Sequence, residues 1–195
     1  MDTDIHGRLQ TRYSSTDKWR DAGGIESDRN YRVFAMLADV RNGTGCAGVE
    51  THKAITPISE PRGVPDDVEL DDDGYLVSHD PYSDSVLPQH YSLGQHSFSW
   101  VTLKEVVDWP GWHKPLHMVG MLAPEEMARV KREGGTPNEW CGGTSDPTYV
   151  RYEWEVPFAE YVQTFKAWVD YLVLKYSFEL ANRPDCVRLV FGFDS

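Results

Sequence analysis

Three points in this chain carry residue types suited to acid–base chemistry on an anion. Asp4 and His6 sit two residues apart in DIHGRLQTRY, where alternation over residues 4–13 puts both on one face of a strand. The second point lies in QHYSLGQHSFSWVTLKEVVD, residues 89–108, where His96, Ser97 and Ser99 precede Thr102 and Glu105. Thr102 and Glu105 have capping-box spacing: the Thr hydroxyl accepts from the N3 amide while the Glu reaches back to the cap amide. Such a strand-to-helix junction projects side chains from a rigid frame and points N–H groups at an anion. The third is Arg62, between Pro61 and Pro65, on a stiff loop that can present its guanidinium to phosphate or carboxylate. Phosphodiester cleavage through a neighbouring hydroxyl needs a base, an acid and a cation over the phosphate. The expected assembly is one pocket. In it His96 is the base, because a helix N-terminus lowers a nearby histidine pKa, and His6 beside Asp4 is the acid. Arg62, Ser97, Ser99, Arg32 and Trp100 are the expected substrate contacts.

The elements that would position these groups read as one α+β domain over residues 1–195, with long loops at 42–68 and 78–95. The expected sheet is mainly antiparallel and contains residues 4–13, 148–156 and 187–193. A helix capped by Ser27 or Asp28 runs through Tyr31, Phe34, Leu37 and Val40, and another starts at Pro124. The longest helix, 158–181, carries a broad apolar stripe and is expected to cover the sheet. Asp73-Gly74 reads as a turn in preference to a calcium loop, since ELDDDGYLVSHD lacks the first Asp and last Glu of that pattern.

Composition narrows the partners. A net charge of −12 disfavours duplex nucleic acid and anionic membranes, and no basic run marks a nucleic-acid stripe. A small nucleotide in a local arginine-lined pocket is still allowed, and ten Tyr and seven Trp can stack bases. The apolar stretch 158–180 is interrupted by Glu160, Lys166, Asp170 and Lys175, so no membrane span is expected. MDTDIHGRLQ has no signal-peptide character. Cys46, Cys141 and Cys186 fit no zinc spacing and read as reduced thiols. His113 and His117 have metal-pair spacing, but Pro115 between them prevents a shared helix face. No metal or cofactor is expected, and self-association is left open.

DIHGRLQ, RNYRVFAMLADVR, PISEPRGVPDD, HSFSWVTLKEV and VRLVFGFD together resemble a widespread family of phage and prophage accessory proteins with no settled chemistry. The resemblance spans most of the chain and is weakest in the acidic middle and at 110–147. It implies a phage setting, the cytoplasm of a bacterial host, and shared motifs that hold His6, Arg62 and His96. It also implies a role against host defence, in which a nucleotide immune signal is cleaved or sequestered. The enzyme expected from this is a metal-independent phosphodiesterase on a cyclic nucleotide. The alternatives are a non-catalytic sponge for the nucleotide and an acidic inhibitor of a host protein. His96 and His6 are not followed by the residues of the two-histidine phosphodiesterase pattern, His-x-Ser/Thr.

Overall fold

The computed structural model describes residues 3–27, 29–42, 55–80, 82–83, 85–179 and 183–194. Its centre is β6, Val187–Asp194, the one strand in which seven of eight residues are buried. β6 pairs on one side with β1, Asp4–Thr11, and on the other with β3, His96–Thr102. β2, Arg20–Gly24, joins the outer edge of β1, giving the order β2-β1-β6-β3 with every pairing antiparallel. A strand buried on both faces reads as a continuous apolar run, and VRLVFGFD is such a run apart from Arg188 and the terminal Asp194.

Alternation along β6 divides the interior in two. Val187, Leu189, Phe191 and Phe193 enter the main core with α1, Tyr31–Ala38, and with the later helices. Val190 faces the other way and packs beneath Val64, Val68, Leu76, Tyr91 and Leu93. The long irregular stretch therefore covers the second face of the sheet. Gly192 makes this contact close: a Cβ there would lie 2.1 Å from the Leu93 carbonyl oxygen and 2.6 Å from the Phe98 ring. Asp73-Gly74 forms the expected turn, with Gly74 at φ 79° and Asp71 Oδ1 accepting from the Asp73 and Tyr75 amides.

Residues 148–156 do not join this sheet. β5, Val150–Pro157, pairs instead with β4, Pro115–Leu122, in a separate two-stranded sheet. Both edges of β6 are already occupied, and β5 has the half-wet alternation of a strand buried on one side only. The capping-box helix is α2, Leu103–Asp108, and α3 is Pro124–Glu133. The expected helix 158–181 breaks at Val162, where φ −108° and ψ 42° leave the helical region. This gives a short α4, Phe158–Tyr161, and α5, Gln163–Glu179. α5 buries Phe165, Val169, Leu172 and Tyr176 in the main core, but its nearest backbone neighbours are chiefly α2, α4 and the turn before β6. Its cover of the sheet is therefore less than expected. The cap of α1 is Asn30, whose side chain accepts from the Arg32 amide; Ser27 is buried ahead of it, and Asp28 lies outside the described residues. Cys141 and Cys186 are free thiols, and Cys46 is outside the described residues. No described helix is long and apolar enough to cross a membrane.

Candidate ligand-binding site

β3 carries four of the eight candidate residues, His96, Ser97, Ser99 and Trp100, and its pairing with β6 sets the face on which His96 lies. Residues directly opposite across an antiparallel pair share a face. His6 is opposite Gly192 and His96 is opposite Phe193, so the two imidazoles lie on opposite faces of the sheet. His6 Nε2 meets Asp194 Oδ2 at 2.8 Å. Asp4 takes a bidentate contact from Arg29, at 2.6 and 2.8 Å, and so does not orient His6. His96 stacks near Phe193 on the other face. The expected pocket joining His6, Asp4 and His96 is thus not assembled, because adjacent strand positions alternate and these two histidines are one register step apart.

The Pro61–Pro65 loop docks onto β3 as a backbone clamp. Ser99 is fully buried, and its Oγ accepts from the Arg62 amide at 3.1 Å, while the Gly63 amide donates to the Phe98 carbonyl at 2.8 Å. Ser99 therefore holds the loop and contacts no ligand space. The Arg62 guanidinium lies 4.9 Å over Trp100 and grips Glu105, with Nη2–Oε1 at 2.6 Å. Glu105 also closes the capping box, accepting from the Thr102 amide at 2.8 Å. Burial works to raise the Glu105 pKa, but the bonds from Arg62 and Thr102 prevail and hold it below the ordinary value. The capping box and the arginine loop, expected as separate features, share one carboxylate.

Beside this clamp lies a cleft of about 690 Å³, within the range of roughly 300–1,000 Å³ usual for small-molecule sites. Arg62 and Trp100 form part of it, and Arg12, Trp19 and Arg188 complete it. Arg188 is only 3% exposed. Its Nε donates to Gln10 Oε1 at 2.9 Å and its Nη1 to Asp67 Oδ1 at 2.7 Å. Its Nη2 is buried with no partner among the described residues, as is Arg12 Nε. Both guanidiniums lie over the Trp19 ring, at 4.1 Å for Arg188 and 4.3 Å for Arg12. The Trp19 indole N–H donates to Asp67 Oδ2 at 2.9 Å, so one carboxylate fixes both the arginine and the ring. Burial raises the Asp67 pKa, yet the Arg188 contact outweighs it and the carboxyl is held low. Burial, offset in part by Asp67 and reinforced by Arg12, lowers that of Arg188, but a guanidinium stays charged in any case.

Asp66, Asp67 and Asp185 line the cleft with the three arginines, so its formal charges cancel. Two buried N–H donors, on Arg188 and Arg12, are left without a partner beside the indole. An unmade bond at a buried donor costs about 1–3 kcal/mol, which an acceptor oxygen would recover. Sequence reasoning included Arg62 and Trp100 but missed Arg12, Trp19 and Arg188. One signal was present: Arg188 is the single charge inside the apolar run that closes the chain.

His96 and Ser97 line a different cleft, of about 530 Å³, with Thr3, Asp39, Arg41 and Glu60. Arg32 is buried at 3% exposure within α1 and lines neither of these clefts. Among the described residues no three His, Cys, Asp or Glu side chains converge as a metal site. Comparison with protein-family models, with curated proteins and with solved structures finds no match to this chain.

Proposed function

We propose that this protein binds a small nucleotide in the Trp19–Trp100 cleft and retains it intact. The observation that carries this reading is the buried Arg188 guanidinium, with an unused N–H beside the Trp19 ring in a cleft of ligand size. Both nitrogens are closed to solvent, so a phosphate oxygen would take the spare donors of Arg188 and Arg12 as charge-assisted bonds only once the two guanidiniums shift toward the cleft. A base would stack on the part of the half-buried Trp19 or Trp100 ring that the arginines leave open, worth about 1–3 kcal/mol per base. Retention is favoured over cleavage because no histidine is among the described residues lining this cleft, and His6 and His96 face away from each other. In the phage setting implied by the sequence resemblance, the ligand would be a cyclic nucleotide signal of host immunity and the protein its sponge.

The test is to incubate purified protein with a panel of cyclic mono- and dinucleotides, then denature it and analyse the released ligand. Intact ligand, held by wild type and lost from Trp100→Leu and Arg12→Gln, supports sequestration. New products, or retention unaffected by both substitutions, would refute it.

A further inference from the structure

The second cleft has features that ligand retention does not use. Among the described residues, only Asp39, Arg41 and Ser97 have positive φ without being glycine, at 59°, 55° and 52°, and all three line this one cleft. Sparsely populated backbone conformations gather where geometry serves a site. Asp39 has a local reason for its conformation, since it caps the C-terminus of α1. Ser97 takes its conformation from a β-bulge. It sits in the irregular step between His96 and Ser99, where the β3–β6 register shifts. That bulge turns the hydroxyl toward its neighbour, leaving Ser97 Oγ 2.9 Å from His96 Nδ1. The imidazole is steadied against Phe193, with ring centroids 6.3 Å apart and planes at 26°. Arg41, whose Nε donates to Thr3 Oγ1 at 2.7 Å, brings a cation to the same wall.

We infer that Ser97 is a nucleophile activated by His96, in a hydrolytic site for small carboxylic esters. The pair has the contact distance that nucleophilic catalysis requires of a hydroxyl and its base. The role calls for the tautomer protonated at Nε2, which leaves Nδ1 as acceptor. Ser97 Oγ attacks the ester carbonyl carbon, and its proton passes to His96 Nδ1. The carbon–oxygen bond to the leaving alcohol then breaks, and the alcohol departs with that proton. Water, deprotonated by the same nitrogen, releases the acid and restores the serine. Arg41, which lines the same cleft, is the cation available there to offset charge on the carbonyl oxygen.

The test uses the whole chain and a fluorophosphonate probe, which serine attacks at phosphorus with loss of fluoride. Wild type is expected to gain one adduct, mapped to Ser97, and to hydrolyse p-nitrophenyl acetate. Ser97→Gly, which accepts the positive φ and should fold, is expected to lose both. His96→Gln should slow labelling about a hundredfold. Lys104→Ala, at a residue that lines neither cleft, should label as wild type does. An unlabelled wild type, an adduct that persists in Ser97→Gly, or full labelling speed in His96→Gln would overturn the assignment.

Discussion

Arg188 and Asp67 should respond unequally to substitution. Arg188 is buried and Asp67 is 54% exposed, so the pair is asymmetric in water. Asp67→Ala leaves a buried cation without its carboxylate and Trp19 without its acceptor, and should cost about 2–3 kcal/mol in urea unfolding. Arg188→Met fills the same space, leaves Asp67 to solvent, and should cost about 1 kcal/mol or less. The reverse order would mean that the arginine is held by packing and not by the pair. Ser97→Gly should raise stability by about 1 kcal/mol, since glycine adopts φ 52° without steric penalty. A loss in thermal or urea unfolding would show that Ser97 is not strained. At this scale the sequence was partly informative. Arg62 was legible because prolines flank it, and Glu105 because the capping box fixes its spacing. The role of Asp4 was not, because its partner Arg29 comes from a different element.

At the scale of elements, α3 should report pH. Glu126 accepts from Arg129 at 2.7 Å and from the Asn138 amide at 2.6 Å, tying the helix to the loop that follows. The Arg129 bond, then the Asn138 amide, lowers its pKa from 4.5 to about 2. A carboxyl depressed in the folded state contributes stability above its unfolded pKa, and that contribution fades as pH falls. The tie should therefore hold above pH 4.5 and loosen on acidification toward pH 2, seen as faster Asn138 amide exchange after correction for intrinsic rates. Unchanged protection across that window would contradict it. Gly192→Ala tests how the loop layer is seated. Its Cβ would strike the Leu93 backbone and the Phe98 ring, and the change should cost about 3 kcal/mol. A near-neutral effect in urea unfolding would mean that the layer can lift without loss. The strands themselves were readable: alternation over 4–13 and 148–156 marked Asp4–Thr11 and Val150–Pro157, and an apolar run interrupted only by Arg188 over 187–193 marked β6. Their partners were not. Alternation states which face of a strand is wet but not which strand lies beside it, and so β5 was assigned to the wrong sheet.

The described residues form a four-stranded sheet with helices on one face and an irregular acidic layer on the other, beside a separate two-stranded sheet. Both clefts use that loop layer: Pro61 and Glu60 line one, Arg62 to Asp67 the other. The fold class was accessible from local pattern, but the Trp19–Trp100 cleft was not. Arg12, Trp19 and Arg188 meet only because β1 and β6, from opposite ends of the chain, lie side by side. With a net charge of −12, the molecule as a whole repels anions, so binding must rest on local donors and should weaken little on adding salt. Titration in 50 and 300 mM salt checks this, and a steep fall would place the anion on exposed charge instead.

The central claim is tested most directly by tryptophan fluorescence during titration with cyclic dinucleotides, comparing wild type with Trp100→Leu. Stacking on Trp19 and Trp100 predicts saturable quenching in wild type and affinity about 5- to 150-fold weaker in the variant, the equivalent of about 1–3 kcal/mol. The ligand should be recovered unchanged afterwards. Absence of quenching across the panel, equal affinity in the variant, or a cleaved ligand would contradict it.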